Sequence, residues 1–407
     1  MLIMRNECKN ETNAILPKFA WITVLALFPI FFFYNAALAL GFSQRFLGGG
    51  FVYPAITLGL PLIFLQILSV LRRQTKIVIV DIMFLVMIIY MLIWASVNYF
   101  FGDGYQRDYP LYQETLQNVF VWSVVYTAFR NLSFNSKFMK IILPALLAGM
   151  LVISFLNISG EMFNAAQLAS GEVRVATYQG FARSAFVTAL LLLSASRGWR
   201  LSAYVIITLV LLFILGARSE FAGFFVAGGL IVLARERAKR SVLVWMPLFL
   251  ALFVYILLAT DVLEGGSRII NLLDLKADAS AQMRLVFQAH ALKTISSHWL
   301  LGGYGSELEL GELGDYAHNA LSAWVSYGLI GFLMFTGMNM AAMFSSARAT
   351  FMESLSYSRP STAFFLGVSG FCVLSMVASK VVYDPIFAVA WGSYASSKLV
   401  GLKKDQA

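Results

Sequence analysis

Long apolar runs, separated by short polar segments, make up most of the chain. A bilayer whose hydrocarbon core is ~30 Å thick needs roughly 20 apolar residues per crossing helix. On that criterion the pattern predicts twelve transmembrane helices, near residues 18–41, 51–71, 77–101, 112–130, 138–158, 181–196, 200–216, 219–235, 242–260, 317–346, 361–380 and 385–400. The sixth to eighth are short and closely joined, which is compatible with tilted or broken helices. The predicted fold is all-α and polytopic, with residues 1–407 forming one transmembrane domain.

One polar interruption is far longer than the others and covers residues 261–317. Within it, residues 279–296 carry apolar side chains such as Met283 and Phe287 at helical spacing, with polar ones such as Arg284 between them. That spacing predicts an amphipathic helix lying on the bundle. The loop has room for two or three short helices packed at the membrane surface.

The composition supports a membrane protein. Hydrophobic residues make up 59% of the chain and charged residues 13%, and the mean hydropathy is +0.76. Soluble domains have about 25% charged residues, so lipid rather than water must surround most of this chain. The two cysteines, Cys8 and Cys372, lie in an N-terminal tail and a late apolar run, which fits neither a disulfide framework nor a metal site. The first apolar run is too long for a signal-peptide core, so we expect it to be retained.

The distribution of charge predicts the orientation of the chain. The net charge of +9 is spread over many short loops, which favours membrane topology over nucleic-acid binding. The termini and the even-numbered loops hold most of the 30 Lys and Arg residues and few of the 21 acidic ones. By the positive-inside rule, both termini are expected to be cytoplasmic and the loop 261–317 to lie outside the cytoplasm, which is the periplasm in a cell with two membranes. The clusters Arg72-Arg73 and Arg235–Arg240 are interpreted as topology anchors, with specific lipid binding as the alternative.

Ten basic residues on the predicted outer face run against this charge bias, and four of them are candidates for anion binding: Arg183, Arg218, Arg284 and Lys380. An arginine at membrane depth costs ~2.5–3.5 kcal/mol on insertion scales unless it is paired or reaches the interface. Its guanidinium group also matches the geometry of phosphate oxygens. The functional interpretation is that several of these cations converge on a pyrophosphate. For Arg183 the alternative is an interfacial side chain, and for Arg284 it is a solvated loop charge.

Two of these cations have an acidic neighbour in the sequence, which offers a structural alternative. Arg218 lies two residues before Glu220 in a tight turn, and an ion pair that closes the turn would explain both residues. Lys380 and Asp384 are four residues apart, and a salt bridge would explain that pair.

His318 is the candidate catalytic base. It lies at the start of the predicted span 317–346, beside Asn319, and an imidazole with an ordinary pKa of ~6.5 accepts a proton at neutral pH. An interfacial hydrogen bond is the alternative role. His290 and His298 are interpreted as structural, and the histidines lack zinc-site spacing, so no metal is predicted.

Three acids, Asp103, Asp108 and Glu114, flank a predicted outer loop. A spaced acidic pair is able to bind a divalent cation, but Arg107 lies between the first two, and a solvated loop is the favoured interpretation. The sequence contains no phosphate-binding glycine loop and no dinucleotide fingerprint, so neither ATP-driven chemistry nor a cofactor is predicted.

Three segments carry a resemblance to a known family. They are residues 216–221 (GARSEF), residues 283–285 (MRL) followed by 298–305 (HWLLGGYG), and residues 318–321 (HNAL) followed by 327–331 (YGLIG). Their order resembles that of the O-antigen polymerase and O-antigen ligase superfamily of bacterial envelope glycosyltransferases. In that family an arginine turn precedes an apolar helix, an arginine precedes an aromatic-flanked Gly-x-Gly, and a His-Asn pair precedes Gly-Leu-x-Gly.

The resemblance implies a glycosyltransferase of the bacterial inner membrane. The donor would be an undecaprenyl-pyrophosphate-linked glycan, the acceptor a sugar hydroxyl, and neither nucleotide nor metal would take part. His318 would orient or deprotonate the acceptor, Arg218 and Arg284 would bind the pyrophosphate, and Arg183 would be a third phosphate contact.

The form of the arginine turn favours a polymerase, which joins repeat units and has a chain-length regulator as an expected partner. The alternative is a ligase that transfers the glycan to the lipid A core. A polysaccharide or lipid transporter is a second alternative, although the sequence lacks a detectable inverted repeat.

Overall fold

The structure, a computed structural model, describes residues 15–39, 52–134, 137–159, 162–163, 178–236, 279–311, 316–353 and 358–404. In those residues the chain is almost entirely helical. The helices are α1 (Ile15–Leu38), α2 (Val52–Leu71), α3 (Ile79–Phe101), α4 (Tyr109–Asn131), α5 (Lys137–Leu156), α6 (Tyr178–Ala195), α7 (Trp199–Ile214), α8 (Arg218–Arg235), α9 (Ala279–Ser297), α10 (Leu321–Met352), α11 (Pro360–Ala378) and α12 (Ile386–Lys404). A two-residue antiparallel pair, β1 (Ile158–Ser159) and β2 (Met162–Phe163), follows α5. A π-helical turn, Ala26–Ile30, lies within α1 and contains Pro29.

Helices coincide with every predicted span except 242–260, which lies outside the described residues. The remaining helix, α9, lies inside the long loop where a helix was predicted. Its predicted amphipathic character is not seen, because Phe287 is buried whereas Met283 and Leu292 are about half exposed. By length and composition, five helical segments are able to cross a membrane: Ile15–Leu38, Ile79–Phe101, Met139–Leu156, Leu321–Met352 and Pro360–Ala378. Helices α6 and α7 are apolar but shorter. The chain is therefore a helical protein with several potential membrane spans, and the count of twelve stays a prediction.

The outer surface of α3 shows why lipid is the expected surroundings. Ile82, Leu85, Ile89 and Ile93 project from one side of this helix, each between 45% and 58% exposed, whereas Phe84 on the other side is buried. A broad apolar surface of this kind is costly in water and suits a hydrocarbon solvent.

Close helix contacts build the centre of the bundle. Helices α8 and α11 approach so closely that a Cβ on Gly367 would lie 2.8 Å from the carbonyl oxygen of Ala227, an approach that small residues permit between membrane helices. Trp391 of α12 packs edge-on against Trp122 of α4, with ring centroids 4.9 Å apart. The indole Nε1 of Trp391 donates to Asn339 Oδ1 of α10 at 3.2 Å.

A glycine turn after α9 docks against a break in α10. Gly328 has φ +65° inside α10, and a Cβ on Gly302 would lie 2.5 Å from the carbonyl oxygen of Val325. Two backbone hydrogen bonds join the segments, from Gly303 N to Val325 O at 2.8 Å and from Leu329 N to Leu300 O at 3.0 Å. Gly302 and Gly328 both belong to the segments on which the family resemblance was based. In the structure they have a shared role, which is to fix the end of the loop on α10.

Candidate functional site

A cavity of about 200 Å³ lies where several helices begin or end at one end of the bundle. We call it the His318 cavity. Segments from α4, α6, the turn before α10 and the turn between α11 and α12 form its walls, with the lining residues Glu114, Asn118, Val121, Gln179, Arg183, Tyr316, His318, Ser379, Lys380, Val381, Tyr383, Asp384 and Pro385. Two of the predicted site residues, Arg183 and His318, therefore share one cavity.

Buried ion pairs hold the cationic side of this cavity. Arg183 Nη2 lies 2.7 Å from Asp384 Oδ2, and Lys380 Nζ lies 2.5 Å from Glu220 Oε1 and 3.5 Å from Asp384 Oδ2. The salt bridge predicted between Lys380 and Asp384 is thus present, but Lys380 also has a closer partner, Glu220, on α8. Glu220 Oε2 accepts a further hydrogen bond from Ser219 Oγ at 2.6 Å. This network ties the first turn of α8 to the cavity.

The ion pairs keep Asp384 ionised. Burial alone would raise the pKa of this carboxyl, but Arg183 and Lys380 together outweigh burial and hold the pKa below its ordinary value. Asp384 Oδ1 also accepts a hydrogen bond from Ile386 N at 3.0 Å, which fixes the start of α12. The Nε of Arg183 is buried and makes no hydrogen bond with the part of the chain that the structure describes.

His318 lies three residues before α10, which begins at Leu321, a few residues after the start near 317 that the sequence predicts. Asn319 ends the loop, because its Oδ1 accepts a hydrogen bond from Leu321 N at 2.9 Å and its backbone oxygen accepts one from Ser322 Oγ at 2.7 Å. Ala320 N donates to Met376 O of α11 at 2.7 Å. His318 is consequently held on a short turn beside α11, and not on a helical turn.

Aromatic rings flank the imidazole of His318. The ring of Tyr316 is 5.7 Å away and that of Phe287 on α9 is 6.5 Å away, measured between ring centroids. Arg284 lies three residues before Phe287 on α9, and it does not line the cavity. Arg218 is the first residue of α8, two residues before Glu220, and it also lies outside the lining. The structure thus brings Arg183 and His318 together directly and attaches the segments of Arg218 and Arg284 to the same region.

Two carboxylates, Glu114 and Glu307, also lie in this region. Neither of them was predicted to belong to the site. Glu114 lines the His318 cavity, although it was interpreted as a solvated loop acid. Glu307 is buried behind it in the turn Ser306–Glu309, and burial raises its pKa to about 7, with Glu114 adding to the shift. Local sequence gives no sign of this pair, because the two residues come from α4 and from the loop after α9.

The other two loop acids have different roles. Asp108 caps α4, since its Oδ1 accepts a hydrogen bond from Leu111 N at 2.8 Å. Asp103 begins the 3-10 turn Gly104–Arg107, where its backbone N binds Gln106 Oε1 at 3.2 Å. Across the described residues, no group of three or more His, Cys, Asp or Glu side chains is placed to hold a metal ion.

The other two histidines have local contacts. His290 Nε2 lies 2.9 Å from the carbonyl oxygen of Ser306, and His298 Nδ1 lies 3.0 Å from Ser297 Oγ on an exposed corner. Their interpretation as structural residues fits these contacts.

The chemistry of the His318 cavity is that of a polar, charge-balanced pocket. Two cations, Arg183 and Lys380, face two carboxylates, Glu114 and Asp384, around one imidazole. The lining also contains the amides of Asn118 and Gln179 and the rings of Tyr316 and Tyr383. Such a set of donors, acceptors and flat apolar rings suits a ligand that carries several hydroxyl groups.

Comparisons with known proteins give little guidance. No protein-family model and no curated protein matches the chain. A chain from a structure of a peptidoglycan synthase complex, described for its coordination of polymerization and crosslinking, is similar with 14% sequence identity and a TM-score of 0.43. The likeness covers 80% of this chain and 98% of that chain. At that score it carries no argument about fold or function.

Proposed function

We propose that the protein is a membrane glycosyltransferase that polymerises polysaccharide from undecaprenyl-pyrophosphate-linked repeat units. The observation that carries the proposal is the presence of His318, Arg183 and Lys380 around one cavity. These residues come from three distant parts of the chain, and a candidate base beside fixed cations is the arrangement that glycosyl transfer from a diphosphate requires. The resemblance of the arginine, glycine and His-Asn segments points to the same chemistry.

The proposed reaction needs one proton acceptor and one stabilised leaving group. His318 takes the proton from a hydroxyl of the acceptor sugar, and the oxygen attacks the anomeric carbon of the donor. The bond between that carbon and the phosphate oxygen breaks, and undecaprenyl pyrophosphate leaves with the electron pair. Arg218 and Arg284 bind the diphosphate and stabilise its charge, since guanidinium groups bind phosphate oxygens in pairs. The proton on His318 then passes to water.

The volume and charge of the His318 cavity indicate which substrate groups bind inside it and which bind outside it. At about 200 Å³ it is smaller than the ~300–1,000 Å³ of usual small-molecule sites, so it holds the reacting groups and not a whole lipid-linked glycan. Its cations are already balanced by Asp384 and Glu220. Arg183 is therefore only a third phosphate contact, and most of the diphosphate charge must be met by Arg218 and Arg284 outside the lining. Glu114 and the amide side chains then hydrogen-bond the hydroxyls of the acceptor.

The proposal includes the predicted topology. Twelve spans cross the bacterial inner membrane, both termini are cytoplasmic, and the loop 261–317 closes the site on the periplasmic side. The excess of Lys and Arg in the termini and even-numbered loops supports this orientation. The donor enters sideways from the bilayer, and a chain-length regulator is the expected protein partner.

The test is a comparison of two histidine variants in a purified system. Protein in lipid nanodiscs receives lipid-diphosphate-linked repeat units without nucleotide or added metal, and gel analysis measures the glycan ladder. We expect His318→Ala to lower polymer formation by about 10²-fold or more, the usual contribution of a general base. The matched control is His298→Ala, because His298 is exposed on the same loop and lies outside the cavity. If both variants polymerise normally, His318 is not the base.

The ligase alternative has its own readout. In a strain that lacks the protein, a lost polymerase leaves single repeat units attached to lipid A, whereas a lost ligase leaves long chains on the carrier lipid. A transporter would leave repeat units on the cytoplasmic side and would give no ladder with purified protein.

A further inference from the structure

A second cavity lies at the opposite end of the bundle, and the proposed function does not use it. It has a volume of about 730 Å³ and forms where α4 and α6 end, α5 and α7 begin, α8 ends and α11 begins. We call it the basic cavity. Its lining is Phe134, Met139, Lys140, Leu192, Ala195, Ser196, Arg197, Trp199, Arg200, Tyr204, Arg235 and Pro360. Four of these side chains are cationic, and among the described lining residues none is acidic.

Arg235 makes the wall of this cavity a fixed structure. Its side chain is buried, and its Nε donates to the carbonyl oxygen of Ser196 at 3.2 Å while Nη1 donates to the carbonyl oxygen of Ser358. These bonds tie the end of α8 to the end of α6 and to the start of α11. The following residue, Glu236, accepts a hydrogen bond from Gly198 N at 2.6 Å and holds the turn between α6 and α7.

The other three cations present their charges to the solvent side of the cavity. Lys140, Arg197 and Arg200 are exposed, and the guanidinium of Arg200 lies 5.8 Å from the ring centroid of Trp199, which is itself 77% exposed. Burial and carbonyl bonds hold Arg235, whereas the exposed Lys140 and Arg200 lie at the edge of an open volume. Like charges around such a volume repel one another, and an anion among them relieves that repulsion.

Apolar surface continues from the cavity along the outside of the bundle. Ile141 on α5 follows Lys140 and is 70% exposed, while Ile206 and Val210 are exposed farther along α7. An exposed tryptophan between cations and an apolar flank is typical of the membrane interface. A ligand with a phosphate and acyl chains would therefore meet matching surfaces on this face.

We propose that the basic cavity binds the phosphate group of an anionic phospholipid, with the acyl chains lying along α5 and α7. Guanidinium and ammonium groups bind phosphate oxygens through charge-assisted hydrogen bonds, and basic pockets between membrane helices recognise anionic head groups. A soluble phosphate shares the chemistry of the head group but gains nothing from the apolar flank. This inference does not depend on the proposed transferase activity.

The experiment uses native mass spectrometry of the purified full chain with phosphatidylglycerol and, as neutral reference, phosphatidylcholine. The variant is Lys140→Gln with Arg200→Gln, two exposed changes that spare the buried Arg235. The control is Arg72→Gln with Arg73→Gln, which removes two exposed cations next to α2 and away from the cavity. Because each charge-assisted hydrogen bond contributes ~1.5–3 kcal/mol, we expect at least about a tenfold loss of phosphatidylglycerol affinity in the cavity variant and less than twofold in the control.

Two outcomes would overturn the proposal. The first is equal phosphatidylglycerol affinity in both variants, which would mean that the cavity adds nothing to general surface charge. The second is binding of inorganic phosphate that matches or exceeds binding of phosphatidylglycerol, which would assign the cavity to a soluble anion. Thermal unfolding of both variants in neutral detergent checks that each is folded.

Discussion

The His318 cavity and the basic cavity lie at opposite ends of α6 and α11, and they handle charge in opposite ways. At the His318 end, Arg183 and Lys380 are paired with buried carboxylates. At the other end, Lys140, Arg197 and Arg200 surround an open volume whose described lining contains no acid. One region therefore uses its ion pairs to fix geometry, whereas the other holds the exposed charges of Lys140 and Arg200 beside an open volume.

The free-energy cost of burying an unpaired charge explains why the two arrangements differ. A cation held in a buried setting needs a partner, because an unpaired buried charge is strongly destabilising. A cation at an exposed rim remains hydrated and needs none. Substitutions at the two ends should therefore change stability very differently, and this contrast can be measured.

The largest effect is expected for Asp384→Asn. The change keeps the size of the side chain but removes the negative charge between Arg183 and Lys380, so we expect the free energy of unfolding in detergent to fall by about 3–5 kcal/mol. Glu353→Gln is the matched control, since Glu353 and Arg359 form a surface pair at 3.7 Å, worth ~1 kcal/mol or less. Equal losses in the two variants would show that the buried network has no special role.

A smaller, pH-dependent effect is expected for Glu307→Gln. The pKa of Glu307 is raised from 4.5 to about 7 in the folded protein, so the folded state keeps a proton that the unfolded state releases. Its contribution to stability is full below pH 4.5 and is lost as the pH rises to about 7. Glutamine stays neutral at every pH. Between pH 4.5 and pH 8, the free energy of unfolding of the variant should therefore rise by about 3 kcal/mol relative to that of the wild type.

Denaturant titrations across that pH range measure the Glu307 effect. Glu309→Gln is the control, because Glu309 is exposed in the same turn and should leave the pH profile unchanged. A wild-type profile that matches the Glu307→Gln profile at every pH would mean that Glu307 is already ionised in the folded state.

Much of the helical framework could be predicted, because helices that cross a bilayer need long apolar runs, and such runs can be read directly from the sequence. The start of α10 could not, since it depends on the side chain of Asn319 capping the backbone at Leu321. The pair Lys380 and Asp384 was visible as a four-residue spacing. The closer partner Glu220 was not, because it lies on α8 and reaches Lys380 only through packing against α11.

The site was predictable only in part, for the same reason. His318 and Arg183 stood out as polar residues at the ends of apolar runs, so local sequence was enough to nominate them. Glu114 and Glu307 stood among ordinary loop acids, and only the packing of α4 against the loop after α9 makes them buried or cavity-lining. The sequence showed the charge cluster that begins at Arg235, but it did not show that a cavity lies beside Arg235.

The smallest effect is expected for Lys140→Gln with Arg200→Gln in neutral detergent. Both side chains are exposed and neither lies in a buried ion pair, so the free energy of unfolding should change by ~0.5 kcal/mol or less. Adding phosphatidylglycerol should stabilise the wild type and not this variant, since a ligand that binds only the folded state raises its stability. Thermal unfolding with and without the lipid measures both quantities. A large loss without lipid would mean that these cations support the fold, and the contrast between the two ends of the bundle would then fail.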